Sequence, residues 1–265
     1  MLGVVTCASR AVRRIWEFLR RHRWSVPLSG GSGFFFIRLA SEVREGDLDF
    51  FDRLIQRYIE NWRGTADDFM LAATYAGDVA PMAAVSAAAV CALLLGKRRR
   101  EACYVTVGAG GCLLLNFILK LTFHRARPSP QLAYLLPEPS SLSFPSGHAM
   151  GSAGVLGSLI VIAYALRWAR GFRWIATVLG VSTVGAIGVS RVYLGAHYPS
   201  DVLGGFLAAA AWLAAVTGWS KTRSCLPGAQ LLARASAGHE SRARRRRNVS
   251  LRRQHRGTRC HRWVR

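Results

Sequence analysis

The sequence predicts an all-α, polytopic membrane helix bundle with about six transmembrane helices, and three observations carry the prediction. Hydrophobic residues make up 51% of the chain and 26 positions are glycine, a composition that suits helices packed in lipid better than a soluble core. Apolar runs recur that are long enough to cross ~30 Å of hydrocarbon at ~1.5 Å per residue. Between them, basic and acidic connections alternate, as they do when arginine- and lysine-rich loops stay on one face of a membrane.

Residues 1–24 carry six arginines against Glu17, with Val12, Ile15, Trp16 and Leu19 at helical spacing. This is the pattern of a basic amphipathic helix lying on the cytoplasmic membrane surface. An apolar stretch over 25–40, broken by Gly30, Gly31, Gly33 and Arg38, is the poorest of the six spans. A secretory signal peptide is the competing reading, disfavoured by the long basic lead and the lack of a small-x-small cleavage site. Residues 41–68 hold eight acidic side chains, with Phe50, Phe51, Leu54 and Ile55 placed for one helix face, and are read as an extracytoplasmic connection. A second span follows over 69–95. Asp78 and Pro81 sit near its outer end, and Asp78 is read as a helix-start or interfacial residue rather than a functional carboxylate.

Lys97 to Arg100 close that span, and a third covers 102–123 with Lys120 in its last turn. A polar, proline-rich connection runs from His124 to His148. The fourth span is 149–166, a basic link occupies 167–173, the fifth span is 175–189 and the sixth is 202–219. The domain organisation is therefore a cytoplasmic N-terminus over 1–24, a transmembrane domain over 25–219 and an arginine-rich tail over 220–265.

The net charge of +22 resides mainly in the ends, since residues 221–265 hold thirteen arginines and Lys221 against Glu240. Such a tail suits anionic lipid headgroups on the cytoplasmic side, and nucleic acid is set aside as a partner. Its low content of large apolar residues predicts a disordered or loosely membrane-associated segment. The six cysteines form no C-x-x-C pair and three fall within apolar runs, so neither structural disulfides nor a zinc site is expected.

With both termini cytoplasmic, the alternation places 124–148 and 190–201 together on the extracytoplasmic face. That face collects Lys120, Arg127, Ser146, Gly147, His148, Arg191, His197 and Asp201. Ionisable residues at membrane-helix ends are costly unless something pairs with them, and a phosphate ester would. Arginine offers a two-pronged donor to phosphate oxygens, lysine adds a point charge, and Ser146-Gly147 at the start of a helix makes an anion nest. Asp201 follows His197 by four residues, with Pro199 placed to open a helix. Its carboxylate can hold one imidazole nitrogen and leave the other free to attack. His148 is then suited to protonate a departing oxygen. The scheme uses no cofactor and no metal.

Lys120-x6-Arg127-Pro128, Pro145-Ser146-Gly147-His148 and Ser190-Arg191-x5-His197-x3-Asp201 together resemble the three-part signature of the type-2 phosphatidic acid phosphatase superfamily. The resemblance covers about residues 70–219 and every signature position is filled, whereas the poor first span and the arginine-rich tail depart from the family pattern. It implies that His197 becomes a phosphohistidine, Asp201 orients it and His148 protonates the leaving group. Lys120, Arg127, Ser146, Gly147 and Arg191 would hold the phosphate. The expected activity is metal-independent hydrolysis of a membrane lipid phosphate or diphosphate, first of the undecaprenyl diphosphate type, then phosphatidic acid or phosphatidylglycerol phosphate. Alternatives are phosphoryl transfer to another acceptor on the same fold, vanadate-dependent halide oxidation, and a non-catalytic membrane anchor or binding protein.

Overall fold

The computed structural model describes residues 25–128 and 142–223. The surface helix expected over 1–24, the loop 129–141 and all but the start of the basic tail lie outside the described residues. The chain divides into two compact units, Met1–Gly218 and Trp219–Arg265, and the candidate site lies in the first.

Among the described residues the secondary structure is helical: α1 Ser25–Glu45, α2 Asp49–Glu60, α3 Asp67–Ala76, α4 Val79–Leu95, α5 Arg99–Phe123, α6 Gly147–Ala165, α7 Arg170–Tyr193 and α8 Pro199–Arg223. Four of these, α5, α6, α7 and α8 as far as Trp219, are long and apolar enough to cross a membrane. α3 and α4 qualify together as a fifth, bent by 51° at Gly77-Asp78. The protein is therefore a multi-pass membrane helix bundle. The second expected span, over 69–95, is made by this bent pair, α3 and α4. Where the first was expected, α1 is helical over 21 residues, but glycines, serines and Arg38 leave it short of the apolarity of the others.

The lipid-facing surface is legible in exposure. Leu114, Phe117 and Ile118 on α5, and Phe172, Ile175 and Val178 on α7, are all exposed, an apolar surface too extensive for water. The inward faces use small residues instead. Gly151, Ser152, Gly154 and Ser158 of α6 are buried and let neighbouring helices approach closely, which is how packing is won where lipid is as apolar as the side chains. α5, α6 and α8 close around Cys112, Met150, Ala208 and Ala209. Towards the other end, Tyr104 Oη and Thr217 Oγ1 lie 2.8 Å apart, and Trp212 Nε1 donates to the Val107 carbonyl at 3.1 Å.

This packing places one set of helix ends together: the C-termini of α5 and α7 and the N-termini of α4, α6 and α8. Lys97–Arg100 and Arg167–Arg173 occupy the opposite ends. α1 reaches the same cluster through Phe36, Ala40 and Val43, which pack on Phe144, and Phe123 meets Phe144 edge to face at 5.0 Å. The turn that begins α6 then rests on α8 at Gly205, where an added Cβ would stand 2.9 Å from the Ser146 carbonyl oxygen and 3.1 Å from the Ala149 Cβ. A methyl group there has no room without moving backbone. Gly205→Ala should therefore destabilise the protein by about 1–3 kcal/mol, the usual cost of overpacking, read as a lower midpoint of thermal unfolding in detergent.

Candidate active site

Each expected site residue falls at this one end of the bundle. Lys120 lies in the last turn of α5, and Arg127 in the extended segment beyond it. Ser146 is the N-cap of α6, accepting from Ala149 N at 3.5 Å. Gly147 and His148 open that helix, Arg191 closes α7, His197 stands in the short connection, and Asp201 lies in the first turn of α8. Pro199 starts α8, a position where its missing N–H costs nothing. The backbone N–H of Ser146 donates to the Asp201 carbonyl at 3.0 Å, joining the α6 and α8 starts directly.

His197 is fully buried. Its Nδ1 lies 3.4 Å from Asp201 Oδ2, while its Nε2 lies 3.3 Å from Arg127 Nη1, which also donates to the Ala196 carbonyl at 2.8 Å. One ring nitrogen thus meets a carboxylate and the other faces a cation. The Asp201 carboxylate is held on every side. Oδ1 accepts from Arg125 Nη1 at 2.7 Å, and Oδ2 accepts from the Tyr198 N–H at 2.9 Å and from the Ser143 hydroxyl. Such complete satisfaction is what a buried carboxylate requires.

Arg191 is buried and reaches Thr74 Oγ1 with Nη1 at 2.5 Å. Its Nε is buried with no hydrogen-bond partner among the described residues. An orphaned guanidinium donor beside other cations is a place for an anion. The charges of Arg127, Asp201 and Arg191 all act on Lys120, and those of Arg127 and Arg191 act on both His148 and His197. The eight expected residues therefore converge.

Asp78 stands at a helix start, as expected, but its carboxylate faces the site. It occupies the N-cap position of α4 but its side chain makes no capping bond; instead, Oδ1 lies 2.7 Å from His148 Nε2. The bend between α3 and α4 is what delivers it there. Both histidines are thus paired with an aspartate.

Sequence reasoning missed Arg125, Asp52, Ser143, Thr74 and Asn116. Asn116 Nδ2 donates to the Pro145 carbonyl at 3.1 Å and steadies the Ser146-Gly147 turn. Arg125 had a weak signal, as a second arginine two residues before Arg127. Asp52 had a better one: with Gln56 it forms a buried polar i,i+4 pair on α2, opposite exposed Phe50, Leu54 and Tyr58.

The family model described as the PAP2 superfamily matches residues 101–225. Over residues 101–225 the chain is similar to the PAP2 superfamily. The stretch carries all eight expected site residues. Over 98 residues the chain is 46% identical to phosphatidylglycerophosphatase B of Bacillus subtilis, covering 35% of this chain and 45% of that protein. It is 31% identical over 113 residues to an undecaprenyl-diphosphatase of the same organism, covering 42% and 53%. It is 35% identical over 114 residues to a decaprenylphosphoryl-5-phosphoribose phosphatase of Mycobacterium tuberculosis, covering 42% and 56%. The chain spans about half the length of these curated relatives. In three dimensions it is similar to the crystal structure of a transmembrane PAP2-type phosphatidylglycerolphosphate phosphatase from Bacillus subtilis. The TM-score is 0.67 and the identity 25%, over 74% of this chain and 97% of that one.

Burial dominates the His197 imidazole and pushes its pKa down to about 3, with Asp201 pulling the other way. The unfolded histidine titrates near 6.5. Between these values the unfolded chain binds more protons than the folded one, so stability rises with pH and is lost as pH falls through 6.5. The thermal midpoint in detergent should therefore drop between pH 7 and pH 5. It should drop less in His197→Asn, which has no imidazole to protonate.

Proposed function

We propose that the protein is an integral membrane phosphatase that removes a phosphoryl group from a lipid phosphate or diphosphate, with His197 as nucleophile and no metal. The observation that carries this is the double engagement of His197: Nδ1 against Asp201, Nε2 towards Arg127, beside the unpartnered Nε of Arg191. An imidazole kept neutral by burial presents a lone pair to whatever the cations hold.

Arg127, Arg191 and Lys120 bind the phosphate oxygens, and the backbone N–H groups at the Ser146-Gly147 start of α6 complete the cradle. Nε2 of His197 attacks phosphorus, a P–N bond forms and the bond to the lipid oxygen breaks. His148, oriented by Asp78, gives that oxygen its proton. Asp201 stabilises the charge that the phosphorylated imidazole acquires. Water then attacks phosphorus, His148 takes a proton from it, and the P–N bond breaks to release phosphate. The cations oppose the charge spread over the transferring group, which is where catalysis of this reaction chiefly lies.

Two features support a lipid as the leaving group. The site lies at the ends of membrane spans, and one helical turn beyond Asp78 an apolar cavity of about 620 Å³ begins at Met82. It runs between α4, α6 and α7 along Leu93, Leu156, Leu159 and Leu179, a surface suited to hydrocarbon. The names of the relatives point to the same class: a phosphatidylglycerophosphatase, a polyprenyl diphosphatase and a polyprenyl-phosphoryl sugar phosphatase. The basic ends of the bundle opposite the site support an extracytoplasmic active site with both termini cytoplasmic.

Purified protein should release phosphate from undecaprenyl diphosphate, phosphatidylglycerol phosphate or phosphatidic acid in the presence of a chelator. His197→Ala should reduce the rate by at least ~10³-fold, as losing a covalent nucleophile does. Full activity in that variant would refute the mechanism. Transfer of phosphate to an added alcohol in place of release would indicate the phosphotransferase reading.

A further inference from the structure

We propose that Asp52 and Arg125 are positioning residues for the nucleophile, forming a clamp through which α2 sets the orientation of Asp201 and hence of His197. The inference rests on the reading of His197 and Asp201 given above.

Arg125 stands between two buried carboxylates. Its Nη2 donates to Asp52 Oδ2 at 2.8 Å and its Nη1 to Asp201 Oδ1 at 2.7 Å, while its guanidinium lies 4.3 Å from the centre of the Tyr198 ring. Asp52 in turn accepts from the Ser200 N–H at 3.0 Å through Oδ1 and from the Ser200 hydroxyl at 2.5 Å through Oδ2. Ser200 Oγ also lies 2.7 Å from Arg125 Nη1. The chain of contacts is Asp52, Arg125, Asp201, His197.

The geometry makes α8 dependent on α2. The first N–H groups of a helix have no intrahelical partner; Pro199 has none to offer, and that of Ser200 is met by a carboxylate 148 residues earlier in the chain. A carboxylate at a helix N-terminus is favoured by the helix dipole as well, so Asp52 caps α8 from another helix. Arg125 then occupies Oδ1 of Asp201, which leaves Oδ2 turned towards His197. A lysine would keep the charge but could not span two carboxylates with a fixed fork. Removing one charge from such a buried set leaves the others uncompensated.

α2 itself is turned outward in an unusual sense. Asp52 and Gln56 face the protein, while Phe50, Leu54 and Tyr58, followed by Trp62, are exposed beside Arg53 and Arg57. A helix of that pattern, joined to membrane helices, lies in the headgroup region. The clamp thus links an interfacial helix to the attacking imidazole.

Asp52→Asn and Arg125→Lys, assayed in the full-length protein against one lipid phosphate from the panel above, should each lower kcat by about ten- to a hundredfold. KM should stay within about twofold, the cost expected when an orienting partner is lost rather than a substrate contact. The rate of phosphohistidine formation, trapped by rapid quench, should fall in parallel. The double variant should be no worse than the poorer single one, since both break one chain of contacts. Asp52→Glu serves as a milder variant, with partial recovery of kcat expected. Wild-type kcat in Asp52→Asn and Arg125→Lys while His197→Ala is inactive would overturn the clamp alone. A change confined to KM, or a loss accounted for wholly by a smaller folded fraction, would do the same. Activity in His197→Ala would overturn both the clamp and the reading it rests on.

Discussion

Asp201 is a carboxylate held away from water, and the surrounding structure is arranged so that this is tolerable. An isolated charge in such a place would take up a proton or expel the helix that carries it. Here a guanidinium, a backbone N–H, a serine hydroxyl and an imidazole converge on its two oxygens, drawn from three parts of the fold. Ser143 comes from the approach to α6, Arg125 from the segment after α5, and Tyr198 and His197 from the α7–α8 connection. Three segments are tied to one functional group, and the rest of the site inherits its positions from those ties.

The membrane bundle makes that convergence possible by close helix approach. Small residues on α6, and Gly205 on α8, let backbone meet backbone, so that the Ser146 N–H reaches the Asp201 carbonyl. The bend at Gly77-Asp78 does comparable work on the other side, turning a carboxylate towards His148 that a straight helix would carry along its own axis. Apolar packing thus locates the helix ends, and polar contacts at those ends set the side chains to within hydrogen-bond distance.

Much of the site was legible in the sequence because its residues are chemically distinctive and regularly spaced: two arginines, a lysine, a Ser-Gly before a helix, and a histidine four residues ahead of an aspartate. The helix bundle was legible for the same reason, from apolar length and charge alternation. What escaped were the pairings between distant segments. Nothing local to Asp52 marks it as the cap of a helix beginning at 199, and Arg125 is one of several basic groups between His124 and Arg127. Asp78 was assigned to its own helix because N-cap residues usually serve the helix they begin, whereas the bend gives its carboxylate a better partner. The span boundaries shifted where apolar length alone could not register a break, at Gly77-Asp78, or the dilution of α1 by glycine and serine.

α2 carries Asp52 and Gln56 inward and leaves Phe50, Leu54 and Tyr58 exposed beside Arg53 and Arg57. Such a helix is held from two sides, by the contacts of Asp52 with Arg125 and Ser200 and by the medium that its aromatic face meets. A detergent belt thick enough to enclose the spans but too thin to cover the ridge from Phe50 to Trp62 would leave α2 held by the Asp52 contacts alone. What solubilises this protein is therefore a variable of its chemistry as much as of its yield.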